Sequence, residues 1–346
     1  MSQRRIFLDR SIGEMRGVVT LDDRPERLIL QRSDDEPRLA LGARLVARVA
    51  SLEPAIGTAF LDLGDGFEAI LAFKPDSKPV RGALVEVEIR SEPRTGKLAV
   101  AKLLGEARGA PRLVEAAPDL AAILKHLVRD APLVEGSEAR AVADEAQAEV
   151  LETIHPLPGG GSLAIEPTRA LTAVDVDLGE RKGQDAKRVT RQTNLAALHE
   201  AARLLRLKGL GGLVVLDLAG RGHDGAALLA AARLAFGPDN PGVAIGPVGR
   251  FGTMEISIPR RTRPVREALL RADGALSERT LAQQLIRRIE DEAAARPGAR
   301  LLARVAPAVA VAAQPLARLL AERIGARFSI SGEAGRSRTD PDVGEA

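Results

Sequence analysis

Short apolar runs separated by turn residues occupy the first hundred residues of the chain, and this pattern predicts β-strands. The first forty residues hold three such runs, and Asp22 and Asp23 separate the second from the third. Five further runs follow between residues 41 and 104, punctuated by glycine. Five short strands with glycine turns in about 60 residues favour a small β-barrel, of which the OB-fold is the commonest five-stranded form.

The pattern becomes helical after residue 105. Leucine and isoleucine recur at helix spacing from residue 120 to residue 127, and an alanine- and glutamate-rich stretch covers residues 139–151. The proline- and glycine-rich segment 156–161 then predicts a domain boundary. Strands and helices alternate beyond it, and Ser277 is a candidate N-cap for a further helix. The second half of the chain therefore reads as a mixed α/β domain.

Composition narrows the class of protein. The chain has 346 residues, of which 45% are hydrophobic and 28% charged, as expected of a globular protein with more than one core. It has no uncharged apolar run of about 18 residues, so we expect no membrane span. The N-terminus has no apolar region of a secretory signal. The absence of cysteine excludes disulfides, thiolate catalysis and cysteine-based zinc sites. A cytoplasmic location is the default expectation.

The formal net charge is only +3, but the basic residues are mostly arginine, since only eight of the 50 are lysine. Arginine suits phosphate binding because its guanidinium keeps its charge and donates hydrogen bonds as a planar fork. A GC-rich genome would produce the same bias. The basic run at residues 260–263 follows a predicted strand and could face phosphates, with a solvated surface as the alternative.

Two aspartates stand near the C-terminal ends of apolar strands. Asp175 lies in the run 171–176, and Asp217 ends the run 213–217. An ionised carboxylate among apolar residues is costly unless a partner or a cation compensates its charge. A pair of them on neighbouring strands would suit Mg²⁺, which could activate water and stabilise charge on a scissile phosphate. The alternative, in which each aspartate only caps the turn that follows it, remains open.

The barrel offers a second candidate site. Since the chain has no tryptophan or tyrosine, its seven phenylalanines are the only aromatic platforms. Phe60 and Lys97 could share one face of the barrel, where stacking and positive charge would hold single-stranded nucleic acid. The alternative is that the phenylalanines fill the barrel core, which we expect for Phe73 and at least one other.

These motifs, taken in chain order, resemble the bacterial ribonuclease E/G family of endoribonucleases. Residues 170–176 (ALTAVDV) resemble the family's A-L-T-A-[IV]-D-[IV] segment, and residues 210–217 (LGGLVVLD) resemble its next strand. Residues 249–252 (GRFG), with Glu255, resemble the segment S-R-F-G-x-x-E. Residues 44–63 resemble the S1-like OB domain of the family. The resemblance runs through most of the chain.

The resemblance implies an α+β architecture in which an S1-like OB-fold β-barrel interrupts an RNase H-like subdomain, and a DNase I-like α/β catalytic domain follows. The expected divisions are residues 1–40 and 105–157 for the two parts of the RNase H-like subdomain, 41–104 for the barrel, 158–331 for the catalytic domain and 332–346 for a flexible tail.

The resemblance also implies roles for single residues. Asp175 and Asp217 match the family's two metal-binding carboxylates. Asp177 stands where the family has an asparagine that helps to orient the site, and is expected to take part in catalysis. Four further residues match family positions that contact RNA or lie near the catalytic residues: Phe60, Lys97, Arg250 and Phe251.

The expected function is therefore Mg²⁺-dependent cleavage of single-stranded RNA, in RNA processing or decay, with rRNA maturation as one such process. Some features depart from the family. Ile70 replaces a second stacking phenylalanine, and Gly220 replaces an acidic residue. A 5′-sensor pocket is not recognisable, and a zinc link and the small domain after it are expected to be absent, so we expect no zinc-linked dimer. The alternative is a non-catalytic RNA-binding protein that retains the fold.

Overall fold

The computed structural model of the protein describes residues 3–180, 185–238 and 240–346. The three strands predicted first form an antiparallel meander of β1 (Arg4–Ser11), β2 (Glu14–Leu21) and β3 (Arg24–Arg32). Asp22 and Asp23 join β2 to β3, both with positive φ angles, a conformation that aspartate tolerates better than most residues. The paired aspartates thus mark a hairpin turn, as the sequence indicates.

A closed β-barrel follows, as predicted. Its strands are β4 (Arg44–Glu53), β5 (Thr58–Gly64), β6 (Phe67–Ala72), β7 (Leu84–Ser91) and β8 (Ala99–Glu106). They pair in the order β5-β6-β8-β7-β4, and pairing between β4 and β5 closes the barrel. β6 and β8 are parallel and the other neighbours antiparallel. This closed five-stranded topology is consistent with an OB-like fold.

The barrel sheet runs past the predicted limit at residue 104. A sixth strand, β9 (Arg112–Glu115), pairs with β4, and Leu113 packs against the barrel core. The following segment is also less helical than predicted. It contains α1 (Leu120–Leu127), β10 (Leu133–Glu135) and α2 (Ser137–Leu151). β9 and β10 have only four and three residues, so their periodicity is too short to be read from sequence.

The sheet that carries the aspartates has six strands in the order β11-β12-β13-β14-β16-β15. These strands are β11 (Ile154–Pro156), β12 (Ser162–Pro167), β13 (Thr172–Asp177), β14 (Gly212–Asp217), β15 (Ala244–Val248) and β16 (Thr253–Ile258). The helices after β13, β14 and β16 are α3 (Ala186–Leu207), α4 (Gly225–Phe236) and α5 (Val265–Leu269). β13 and β14 are parallel because α3 crosses between them.

The predicted boundary at residues 157 and 158 is wrong. Residues 156–161 form the turn of a hairpin between β11 and β12, inside one sheet. A single hydrophobic cluster also joins both sides of this turn, since Phe7 and Val18 of the meander are buried with Val174 and Leu216 of the six-stranded sheet. Proline and glycine mark hairpin turns and linkers alike, so the sequence signal could not separate them.

The last 70 residues form a module with its own hydrophobic core. It comprises α6 (Glu278–Ala295), β17 (Leu301–Val305), α7 (Pro307–Ile324), β18 (Phe328–Gly332) and β19 (Asp342–Glu345). Ser277 caps α6 through the backbone N–H of Thr280, as predicted. The expectation that residues 158–331 form one catalytic domain is therefore wrong.

The predicted flexible tail at residues 332–346 is also wrong. β19 pairs antiparallel with β17, and Val343 is buried in the core of the C-terminal module. The polar composition of the tail concealed this strand, which has one buried side chain only.

Buried ion pairs join the C-terminal module to the meander. The Glu14 carboxylate accepts hydrogen bonds from Arg32 at 2.6 Å and from Arg287 of α6 at 2.7 Å. All three side chains are buried.

In the described part of the chain, no helix combines the length and the apolar character that are needed to cross a bilayer.

Candidate active site

Asp175 and Asp217 are partners in register on the parallel strands β13 and β14. Neighbouring strands lie about 4.8 Å apart, so the two carboxylates extend from adjacent backbone positions. Both residues are exposed, and both lie on the sheet face that points away from α3. Across the residues that the structure describes, no hydrogen bond or ion pair engages either carboxylate. The structure thus brings the two predicted aspartates together with their charges unpaired.

The expectation that these aspartates lie in apolar surroundings is wrong. Along β13 the burial alternates, so Val174 and Val176 pack in the core while Asp175 faces solvent. Leu216 is buried beside Asp217 in the same way. The helices cover only one face of the sheet at this point, and the other face is open. Proximity of two like charges, rather than burial, is therefore the distinguishing property of the pair.

Asp177 lies on the same open face, two residues beyond Asp175, but its side chain is already engaged. Its carboxylate accepts a hydrogen bond of 2.7 Å from the backbone N–H of Gly179. This short loop is an Asx-type turn, which asparagine can also form. The structure therefore gives Asp177 a role in shaping the turn after β13.

A residue without a predicted role fixes the loop after Asp217. Asn194 is buried on α3, and its amide both donates to the carbonyl of Ala219 and accepts from the N–H of Ala219, each at 3.0 Å. This pair of bonds reproduces a backbone-like interaction and holds the loop against α3. The sequence signal that could have identified Asn194 is its position on the buried face of an amphipathic helix, where a polar side chain needs a specific partner.

Arg250 and Phe251 lie at the same edge of the sheet. They occupy the turn between β15 and β16, and Thr253, just after this turn, is the register partner of Asp217. Phe251 is 77% exposed, and the Arg250 guanidinium lies 4.5 Å from the centre of its ring. A single exposed apolar residue is common on protein surfaces, but an exposed aromatic ring offers a flat face on which a base can stack. The turn thus presents a cation and an aromatic face beside the two carboxylates.

Glycine is required at the end of this turn. Gly252 has a φ of +84°, and a Cβ there would lie 3.2 Å from Nε2 of His223, which belongs to the loop after β14. The N–H of Leu218 also donates to the carbonyl of Gly252 at 3.2 Å. These contacts tie the turn that carries Arg250 to the loop that follows Asp217.

The helices on the covered face also orient their ends towards this edge. α3 follows β13 and α4 follows β14, so both helix N-termini lie at the C-terminal edge of these strands. The partial positive charge of a helix N-terminus favours phosphate groups. In open α/β sheets, ligands bind at this edge.

The aromatic and basic residues predicted for the barrel differ in whether they face outward or pack on its core. Phe60 points outward, between Ala59 and Leu61, which are buried in the barrel core. Its register partner on β6 is Ile70, the residue at the second stacking position. Lys97 is exposed in the hairpin before β8, where it forms a β-bridge with Arg94. Phe67 and Phe73 pack against the barrel core instead. The alternative of core packing thus holds for these two and not for Phe60.

The ligands that Asp175 and Asp217 offer can be compared with those that metal ions require. Within the described ranges, no three histidine, cysteine or acidic residues are grouped as a metal site. Mg²⁺ does not require such a group, because one or two carboxylates usually bind it, and water and substrate phosphate complete its coordination. The pair of Asp175 and Asp217 fits this hard-oxygen requirement. It does not fit a structural zinc site, which takes four protein ligands.

Comparison with known proteins agrees with the resemblance seen in the sequence. Residues 109–261 match the sequence model of the Ribonuclease E/G family. Ribonuclease E of Escherichia coli (strain K12) is 32% identical over 187 residues, or 51% of this chain. Ribonuclease E of Haemophilus influenzae is 35% identical over 147 residues, or 40% of this chain. The chloroplastic Ribonuclease E/G-like protein of Arabidopsis thaliana is 34% identical over 114 residues, or 32% of this chain.

The aligned stretches are a small part of these relatives. They cover 17%, 16% and 11% of the respective proteins, so the chain spans about a sixth of the first two. The family segment includes the whole six-stranded sheet, both aspartates and the turn with Arg250 and Phe251. The match over residues 109–261, together with these relatives, supports this chain as a member of the ribonuclease E/G family.

Proposed function

We propose that the chain is an endoribonuclease that cleaves single-stranded RNA and depends on Mg²⁺. The observation that carries the proposal is the pair of unpartnered carboxylates, Asp175 and Asp217, in register at one edge of the sheet. A positive and an aromatic side chain lie beside them. The match to the Ribonuclease E/G family over this region supports the same chemistry.

Each residue of the site has a physical role in this reaction. The chemistry that a bound Mg²⁺ supplies is neutralisation of phosphate charge and activation of water. Asp175 and Asp217 would hold the ion at the edge of the sheet, and Asp177 would shape the adjoining turn. Arg250 would bind a phosphate by charge-assisted hydrogen bonds, and Phe251 would stack on a base. Breaking the bond between phosphorus and the 3′ oxygen leaves a 5′-phosphate and a 3′-hydroxyl.

The barrel would hold RNA beyond the cut. Phe60 offers a half-buried, outward-facing ring for stacking, and Lys97 adds an exposed positive charge on the same barrel. OB-folds bind single strands through aromatic and basic side chains of this kind. In this proposal the meander and α2 are the RNase H-like part, and the six-stranded sheet is the DNase I-like catalytic part. The biological role would be RNA processing or decay in the cytoplasm, including rRNA maturation.

A second candidate is a non-catalytic RNA-binding protein. Ile70, beside Phe60, reduces the stacking surface of the barrel, and this favours it. Cleavage of an unstructured RNA by the purified chain, with Mg²⁺ and with EDTA, separates the two functions. Cleavage with Mg²⁺ that EDTA abolishes supports the enzyme, whereas binding without cleavage under both conditions supports the alternative.

Replacing Phe60, the outward-facing phenylalanine of the barrel, should weaken RNA binding. We expect Phe60→Ala to reduce single-strand affinity by about 1–3 kcal/mol, the usual contribution of one base stack. Its melting temperature should change little, because Phe60 points away from the core. Phe73→Ala is the matched control, and it should lower the melting temperature because Phe73 packs on the barrel core. Parallel loss of stability and affinity in Phe60→Ala would contradict a binding role.

The 5′ end of the substrate should not affect the rate of cleavage. Capture of a terminal phosphate requires charge-assisted hydrogen bonds in a dedicated pocket, and no arginine–threonine motif of a 5′-sensor is recognisable between Lys102 and Pro158. Matched RNAs that begin with a monophosphate, a triphosphate or a hydroxyl should therefore be cut equally under single-turnover conditions. A preference of about tenfold or more for the monophosphate, or about 1.4 kcal/mol, would show that such a pocket exists.

A further inference from the structure

A large cleft lies at the opposite end of β14 from Asp217. Its volume is about 1290 Å³, and its walls come from β3, the segment before β4, α1, the end of α3 and the basic run after β16. β14 rises about 3.3 Å for each residue, so the five steps from Gly212 to Asp217 place the cleft about 17 Å from the carboxylate pair. The cleft and the candidate active site are therefore separate.

The basic run at residues 260–263 brings three arginines to the cleft, and Arg263 alone of these is paired, with Asp35 at 3.7 Å. Nε of Arg260 donates to the carbonyl of Gly211 at 2.8 Å, and Arg261 donates to the carbonyl of Pro241 at 3.4 Å. Neither guanidinium forms an ion pair within the described structure. Both charges are thus available to an anion.

The carboxylates of the same cleft are already engaged. Four acidic residues line it, and each has a partner: Glu14 with Arg32 and Arg287, Asp35 with Arg279, Glu36 with the N–H of Arg38, and Glu92 with the N–H of Arg263. Backbone N–H groups do not neutralise Glu92, but six arginines line the cleft against these four acidic residues, which leaves a net charge of +2. The field in the cleft is therefore attractive to a polyanion.

Two buried polar atoms of the wall have no hydrogen-bond partner. They are Oε1 of Gln31 and Nε of Arg206, an acceptor and a donor. The Arg206 side chain is only 10% exposed. A buried polar group without a partner is costly, so a ligand with complementary groups would bind more tightly for engaging it. Leucine and proline side chains form the rest of the lining, among them Leu39, Leu41 and Pro118.

We propose that this cleft binds a second segment of single-stranded RNA, away from the site of cleavage. Phosphates would lie on Arg260 and Arg261, and a base would enter the cleft, with its flat faces against the apolar wall and its polar edge towards Gln31 and Arg206. An acidic peptide would match the two arginines but would leave the apolar wall and the unpaired acceptor unused. The proposal rests on RNA as the substrate.

The test measures binding without cleavage. Fluorescence anisotropy in EDTA would compare a long oligouridylate with a short one, on the full chain and on Arg260→Gln/Arg261→Gln. We expect the double variant to bind the long RNA about tenfold more weakly, with a salt slope smaller by about 1.4, since each phosphate contact on a single strand contributes about 0.7. The control is Arg300→Gln/Arg318→Gln, which removes two exposed arginines of the C-terminal module that form no ion pair with any residue the structure describes.

Each outcome decides the proposal. An unchanged affinity, or an equal loss in the control, would overturn it, as would displacement of the RNA by polyglutamate at equal charge concentration. Cross-linking of RNA with 4-thiouridine to the wild-type chain does not depend on the folding of a variant. Cross-links within residues 28–32 or 258–263 would support the proposal, and cross-links confined to other regions would refute it. Cleavage with Mg²⁺ is scored separately, so that failure of the enzyme proposal and failure of the cleft proposal are distinguishable.

Discussion

Asp175→Asn and Asp217→Asn should each reduce Mg²⁺-dependent cleavage of single-stranded RNA by about a thousandfold or more, equivalent to about 4 kcal/mol of transition-state stabilisation. The amide keeps the size of the side chain but removes the negative charge that attracts a hard cation. The two residues are register partners, so loss of either leaves a single carboxylate at the edge. RNA affinity should persist or rise, because repulsion of phosphate falls. Single-turnover cleavage and anisotropy on the same samples measure both effects.

Two variants serve as controls for this prediction. Glu166→Gln removes a carboxylate from β12, which lies outside the pair, and should leave cleavage unchanged. Asp177→Asn should leave activity unchanged or raise it, because an amide oxygen can accept the same hydrogen bond from Gly179. Wild-type rates in Asp175→Asn or Asp217→Asn would remove the pair from the mechanism. A large loss in Glu166→Gln would show that the whole acidic face matters rather than the pair.

Glu14→Ala should lower the free energy of unfolding by about 3–5 kcal/mol, the usual cost of removing one partner from a buried ion pair. Its carboxylate accepts hydrogen bonds from Arg32 and Arg287, and all three side chains are buried. The variant would remove the counter-charge of Arg32 and leave Arg287 with only the carboxylate of Asp144 at 4.0 Å. Because Arg287 belongs to α6, contact between the meander and the C-terminal module should weaken as well.

Denaturant unfolding measures the first effect, and limited proteolysis between α5 and α6 measures the second. Glu135→Ala is the matched control, since Glu135 forms an ion pair with Arg10 in which both side chains are about half exposed. A surface pair of this kind contributes about 0–1 kcal/mol. If the two variants lose stability equally, the buried bonds of Glu14 do not hold the modules together.

Local patterns in the sequence were sufficient for the elements whose signal lies within a few residues. Alternating apolar residues and glycine turns predicted the five barrel strands, and the structure closes them through β4 and β5. Ser277 was identifiable as an N-cap because its side chain bonds to an N–H only three residues away. The proximity of Asp175 and Asp217 also followed from sequence, because the C-terminal ends of parallel neighbours meet at one edge.

Tertiary contacts decided what these local patterns could not. β10 and β19 are short, and they exist because β1 and β17 offer them open edges. Whether residues 156–161 form a linker or a hairpin depends on a hydrophobic core shared by distant segments. Exposure of the two aspartates depends on which face of the sheet the helices cover. The cleft beside Arg260 likewise combines segments that are far apart in the chain. The sequence by itself determined the meander and barrel strands, the Ser277 cap and the two candidate aspartates, because these depend on neighbours in the chain. Their burial, partners and domain limits depend on long-range packing, which only the tertiary structure determines.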